Sequence, residues 1–530
     1  MDRSLTLKAT VRFLPKRITP FAGLALLLIA VAVTRLVIAF VLIDTDAMWS
    51  VDGGTYLINR DEWLGIEHDV VMHARPPFAP GIALYPFTLA LGDNFGLRLW
   101  SCVGSLLLVV ASYYFASGFF SKGQAVAVAA VVSADFWLLE NMGAGAIVLY
   151  AMALLCVVLR GVVDWVYDQL NNWRLVAMAA SLGLLPYVNQ TMTGLALLVL
   201  PALFLAGLYL RYRDGIHWRA LVPARYMAAI VGGIILAIPS LQWYLPVAPG
   251  GDTTAFGGPF VRFGPGLYFE WFIWAAWMLV LWVAYPLMKE RWGLLCWVVL
   301  AAMACLMPLY SHDEVVLNFV WRSKYLASLV GAVLLLGVVS RVWHSWKGGL
   351  SLIMLHVGVS TLVLLSWGTG ISSFSAFGRD DMAATEWLME QDNTAPVVVD
   401  GWSRARTVSA LTNRKVYTMR FWGFPRLDVH ALPEAFRNEQ IASFCVAGWE
   451  TYLLNGDCND IDVPPRAYIL ANTELTRGEH IPSRYTHLYD DSVESMAALS
   501  DTRVVWQRGE VYIWELDREA AREFDVDAHR

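Results

Sequence analysis

The chain has 530 residues, of which 57% are hydrophobic and only 16% charged. The charged share lies well below the roughly 25% of soluble domains, and long apolar runs carry the bias, so the class is a multi-pass helical membrane protein rather than a soluble one. Residues 377–530 hold 26 acidic against 16 basic side chains, within a net charge of −6; such a tail excludes nucleic-acid binding, which needs a basic footprint.

In chain order, residues 1–20 are a basic N-terminus carrying Arg3, Lys8, Arg12, Lys16 and Arg17. The apolar run from Phe21 to Ile43 is long enough to cross a bilayer, and no small-residue cleavage site follows it, so it reads as an anchor rather than a cleaved signal. Residues 44–97 are polar, long for a membrane-protein connection, and crowded with Asp44, Asp46, Asp52, Asp61, Glu62, Glu67 and Asp69. Long connections of this kind are often functional.

Ten further apolar segments follow, at about 98–120, 124–140, 144–160, 174–188, 191–210, 226–246, 270–288, 293–310, 325–342 and 350–372. Eleven spans put the N-terminus and the basic clusters at Arg211–Arg225, Lys289–Arg291 and Arg341–Lys347 on one side, the cytoplasm by the positive-inside rule. The 124–140 and 174–188 pieces are short enough to form shallow helical hairpins with their neighbours. Loop 44–97 and everything after about residue 375 then face outward. The domain organisation is a cytoplasmic 1–20, a membrane domain over 21–375 and an extracytoplasmic α/β domain over 376–530.

The tail mixes periods. "VVVDG", "KVYTM", "RAYIL" and "RVVWQRGEVYIWEL" read as strands, while "AATEWLMEQ" and "PEAFRNEQIASF" have helical spacing. Cys102, Cys156, Cys296 and Cys305 lie in apolar segments as small buried thiols. An outward tail places Cys445 and Cys458 where a disulfide can form.

The polar groups with chemical potential cluster at the outer side. Asp52, in "VDGGTYL", reads either as a helix N-cap or as a general base, with Gly53 and Gly54 allowing close backbone approach. Arg75, in "HARPPF", is restricted to extended geometry by the prolines and suits a phosphate, or a lipid headgroup. His68 and His73, with Glu67 and Asp69, are loosely compatible with a divalent metal, although no HExxH is present. Arg322 and Lys324, in "HDEVVLNFVWRSKYLASLV", stand at the outer end of a span as phosphate ligands or snorkelling anchors. Glu140, Asn141, Asn189 and Gln190 are further polar groups at outer span ends.

The order of these motifs resembles the polytopic GT-C glycosyltransferases of the protein-mannosyltransferase and aminoarabinose-transferase type. The resemblance is carried by Asp52 with Tyr56 four residues on, by "HARPPFAPGIALYPFTLALG", by "DNFGLRLWSCVGSLLLVV" leading into the second span, and by "WRSKYLASLV". It implies a GT-C-like membrane fold and an inverting enzyme that moves a sugar from a polyprenyl-phosphate donor to a hydroxyl on a glycan, protein or lipid. Asp52 would be the general base, and Arg75, Arg322 and Lys324 would hold the donor phosphate. Tyr56, His73, Glu140, Asn189 and Gln190 would be candidate substrate contacts. The pattern is altered where Gly53 follows the loop acid, where Glu140 is displaced from the second acid position, and where Asn189 or Gln190 replaces an expected lysine. No nucleotide is implied, consistent with the lack of a Rossmann or P-loop glycine signature. The competing readings are a transporter or lipid flippase, which calls for charges near mid-bilayer, and a non-catalytic member of the same family. A bacterial plasma membrane and an archaeal membrane both fit.

Overall fold

A computed structural model of the chain describes residues 19–50, 53–68, 78–135, 138–139, 142–143, 146–217, 220–243, 281–282, 285–304, 325–337, 377–391, 394–399, 402–418, 464–472 and 502–517. The chain divides into two compact units. One comprises Met1–Ala39, Leu99–Gln242 and Phe263–Gly370; the other comprises Phe40–Arg98, Trp243–Arg262 and Ile371–Arg530.

Helices in chain order are α1 (Pro20–Val37), α2 (Gly53–Trp63), α3 (Phe78–Leu91), α4 (Asp93–Ala116), α5 (Lys122–Ser133), α6 (Ala146–Val166), α7 (Asn172–Val188), α8 (Gln190–Arg213), α9 (Ala224–Ala237), α10 (Arg291–Ala304) and α11 (Tyr325–Gly337). Helix α1 starts where Thr19 accepts from the Ala22 amide at 3.2 Å, with Pro20 in its first turn, and continues as a π turn over Ile38–Leu42.

Among the described residues, four helices are long and apolar enough to cross a membrane: Pro20–Leu42, Asp93–Ala116, Ala146–Val166 and Thr191–Arg213. The expectation of eleven such spans is therefore not reached there. The segment expected at 124–140 is one reason. A Ser121–Gln124 capping box opens α5 and the helix ends at Ser133, with Ala134 as its C-cap. Twelve residues reach only about 18 Å. The segment expected at 350–372 lies outside the described residues, as does most of 270–288.

The first unit packs these helices through small residues and buries its charges in pairs. A Cβ on Gly183 of α7 would meet Leu236 of the α9 segment at 2.5 Å, so the two backbones approach closely only because that atom is missing. At one end of the bundle Arg160 of α6 bonds Asp164 at 2.8 Å, the Tyr114 carbonyl at 2.8 Å and Ser117 at 2.7 Å. Arg174 of α7 reaches the same Asp164 at 3.1 Å. Arg211 of α8 donates to the Trp165 carbonyl at 2.6 Å, and Arg291 of α10 pairs with Asp214 at 2.8 Å. Ends of α4, α6, α7, α8 and α10 thus gather together, as alternating antiparallel helices require. Cys102, Cys156 and Cys296 are buried, as the apolar segments suggested.

The second unit joins the stretch after α1 to the tail. Tail elements are α12 (Arg379–Glu390), β1 (Val397–Val399), α13 (Trp402–Thr412), β2 (Val416–Thr418), β3 (Arg466–Asn472), β4 (Thr502–Arg508) and β5 (Val511–Asp517). The strands form one mixed sheet in the order β2-β1-β3-β5-β4. β1 is parallel to β2 and β3, while β3–β5 and β5–β4 are antiparallel. Val397, Val398 and Val399 are all fully buried, the signature of a parallel strand covered on both faces. The crossover from β1 to β2 runs through α13. Arg414 closes α12 by donating to the Leu388 carbonyl at 2.6 Å and the Gln391 carbonyl at 2.9 Å. The segment "PEAFRNEQIASF" and Cys445 and Cys458 lie outside the described residues.

Candidate active site

The stretch expected to be a polar loop over 44–97 is mostly helical: α2, α3 and the first turns of α4 occupy it. Proline at 77 and 80 and glycine at 81 masked a run that is otherwise apolar from Phe78 to Leu91.

Two side chains of α4 hold the chain that leads to α2. Asn94 accepts from the Trp49 amide at 2.8 Å and donates to the carbonyls of Thr45 at 3.0 Å and Ala47 at 2.9 Å. Arg98 is fully buried and donates to the carbonyls of Asp44 at 2.5 Å, Ala47 at 2.8 Å and Ile43 at 3.3 Å, with its guanidinium 5.1 Å from the Trp49 ring. Six bonds to carbonyls and an amide fix a seven-residue segment that has no ladder of its own. Met48 adds one more restraint by bridging antiparallel to Phe377 of the tail, amide to carbonyl at 2.9 Å.

The segment ends in a strained turn. Ser50 is buried and adopts φ +74°, in the left-handed region that non-glycine residues rarely occupy, and the Gly53 amide returns to its carbonyl at 3.1 Å. Strain of this kind persists only where the surroundings over-determine it, and it concentrates at functional sites.

Helix α2 then docks on α13. A Cβ on Gly54 would stand 2.4 Å from the Thr407 amide nitrogen, so no other residue allows this backbone contact. Beside it Arg406 donates to Thr55 Oγ1 at 2.9 Å, both groups being buried. Further along, Asp61 accepts from Arg60 at 2.7 Å and faces His68 Nε2 at 2.9 Å, while His68 Nδ1 faces the Ser409 carbonyl at 3.1 Å. Arg60 also pairs with Asp93 at the start of α4. Burial alone would lower the Arg60 guanidinium pKa, but bonding to Asp93 and Asp61 outweighs it, and the net shift is upward. Asp46 meets Arg379 at 3.2 Å in an exposed pair of small energetic weight. Much of the acid cluster is thus structural.

No family model matches the sequence, and no curated protein does. Solved structures match over most of the chain. ArnT from Cupriavidus metallidurans bound to undecaprenyl phosphate is similar over 93% of this chain and 98% of its own, with a TM-score of 0.55 and 14% identity. Its apo state covers 94% and 99%, with a TM-score of 0.56 and 14% identity. The apo oligosaccharyltransferase of Archaeoglobus fulgidus covers 86% and 70%, with a TM-score of 0.51 and 12% identity. The fold is that of the polytopic GT-C glycosyltransferases.

On this GT-C fold the sequence candidates fall in three groups. Asp52, Arg75, His73, Glu140, Arg322 and Lys324 lie outside the described residues. Tyr56 is in α2 and 1% exposed. Asn189 caps α8, its Oδ1 accepting from the Met192 amide at 3.0 Å, and Gln190 is the first residue of that helix. Both ring nitrogens of His68 face protein acceptors. Among the described residues no three His, Cys, Asp or Glu side chains converge as a metal would need.

Sequence reasoning missed Asn94, Arg98 and Arg406. The polar pair Asn94–Arg98, at i and i+4 opening an apolar helix, was the available signal. Arg406 carried none, because its partner lies 351 residues away.

Proposed function

We propose that this chain is an inverting glycosyltransferase that moves a sugar from a polyprenyl-phosphate donor to a hydroxyl acceptor at the outer membrane face. The observation that carries the reading is the braced turn at Ser50–Gly53. The residues leading into it are held by Asn94 and Arg98 of α4 and, through Met48, by Phe377 of the tail, in a chain with an ArnT-like fold. A catalytic carboxylate needs such pre-organisation, since a displacement of about 1 Å can cost roughly a hundredfold in rate.

In this reading Asp52 removes the proton from the acceptor hydroxyl as its oxygen attacks the anomeric carbon. The bond from that carbon to the lipid phosphate breaks on the opposite face, so the configuration inverts. The phosphate leaves on its lipid, and Arg75, Arg322 and Lys324 are the cations assigned to its developing charge. The ArnT relative was crystallised with undecaprenyl phosphate, which supports a donor of that class. The partners are then the lipid donor, the surrounding membrane lipids and a glycan, protein or lipid acceptor. The tail faces outward.

The test is transfer in proteoliposomes supplied with undecaprenyl-phosphate sugars. Asp52→Asn should lower the rate at least a hundredfold with little change in donor binding. Near-normal transfer by that variant removes Asp52 from the role.

A further inference from the structure

Helix α3 has two apolar faces, and among the described residues only one is covered. Gly81, Leu84 and Thr88 are buried, at i, i+3 and i+7. That face lies on α2. A Cβ on Gly81 would meet the Asn59 carbonyl oxygen at 2.9 Å, and the Tyr85 ring stands 5.8 Å from the Trp63 ring. The opposite face, Ile82, Pro86, Leu89 and Ala90 at i, i+4, i+7 and i+8, is exposed, Leu89 to 71%. No residue from Phe78 to Gly92 carries a charge. A contiguous apolar stripe left open in this way marks a contact surface.

Three features identify what covers it. The stripe is continuous with the end of a span: Leu91 and Phe95 carry exposed apolar surface on from Leu89, and Phe95 stacks on Phe40 at 5.6 Å. Phe40 belongs to Pro20–Leu42, long and apolar enough to cross a membrane, and that stretch ends in exposed Val41 and Leu42. Next, α3 has 14 residues. It reaches about 21 Å, short of the roughly 30 Å of a hydrocarbon core, so it cannot cross. Finally, Pro86 lies inside the helix and offers no N–H to the Ile82 carbonyl. Deep in hydrocarbon such a carbonyl has nothing else to accept from, whereas water reaches it at headgroup depth. The polar side is supplied by α2, where Thr55 bonds Arg406 and Arg60 and Asp61 form ion pairs. The two helices are thus amphipathic as a pair, as a surface-lying element requires.

We propose that Ile82, Pro86, Leu89 and Ala90 rest on the bilayer, with α3 lying along the boundary between headgroups and acyl chains at the end of the span marked by Leu42. The partner is the lipid surface itself, in the outer leaflet in the orientation proposed above. That orientation names the leaflet; the contact does not depend on sugar transfer.

The test uses the full chain, one copy per nanodisc, in a cysteine-depleted background. Leu89→Cys carries an NBD label, and Met389→Cys, exposed in α12, carries the same label as a reference. The lipids bear a nitroxide either near the headgroup or near the chain end, and iodide is the quencher in water. The headgroup nitroxide should quench position 89 about threefold more than the chain-end nitroxide, and iodide should quench it about threefold less than position 389. Iodide reaching both positions equally overturns the proposal, because the stripe then faces water. Stronger quenching from the chain end overturns it in favour of deep insertion. Protection from iodide with no quenching by either nitroxide overturns it in favour of a protein cover. If Leu89→Cys does not assemble, Ile82→Cys reads the same face. None of these outcomes bears on transfer by Asp52→Asn, so the two proposals fail separately.

Discussion

At the residue scale, Arg98 shows how one side chain substitutes for secondary structure. Its planar guanidinium reaches three carbonyls of a segment with no sheet partner along most of its length. A lysine ammonium keeps the charge but is a compact point donor that cannot span that fork. Arg98→Lys should therefore leave the helices assembled while loosening the approach to position 52. The expected result is a fall in transfer of about a hundredfold, from misplacement rather than lost chemistry. Donor-lipid affinity, measured alongside, should change little.

At the element scale, α2 is held by a polar contact and a steric one. Thr55 and Arg406 are both buried, so removing the acceptor leaves a guanidinium N–H without it. Thr55→Val keeps the shape and deletes that oxygen. It should cost about 1.5–3 kcal/mol, read as a lower unfolding midpoint and faster amide exchange in both α2 and α13. The tail elements were legible because their periodicities are local. The strands found over 397–399, 416–418, 466–472, 502–508 and 511–517 coincide, to within two residues at an end, with the segments that read as strands, and α12 covers most of the expected helix. Helix α13 was not legible. Its "WSRARTVSALT" has two arginines on a short helix whose burial comes from tertiary contacts with α2 and α12. Asp52 is proposed from motif order alone, whereas the groups bracing the segment ahead of α2 were not legible, because their partners are up to several hundred residues distant.

At the scale of the whole molecule, the helical unit sorts its polar ends. The junctions near Arg174, Arg211 and Arg291 come together, and the last two belong to the basic clusters that the sequence assigns to the cytoplasm. Trp173, beside Arg174, is 71% exposed, and Met389 in α12 of the tail is 51% exposed. In a cysteine-depleted background, Trp173→Cys should react with a membrane-impermeant maleimide only after permeabilisation. Met389→Cys should react in intact cells. The opposite pattern would invert the topology and overturn the proposal of an outward site.

The bond from Arg406 to Thr55 closes a loop of 351 residues, and that from His68 to Ser409 one of 341. At a synthesis rate of about 5–20 residues per second, roughly 20–70 s separate the emergence of the two partners. For that interval the backbone groove at Gly54 and the acceptor at Thr55 have nothing against them. Helix α2 is made early and completed late, so a ribosome that stops short of α13 leaves it without the surface it docks on.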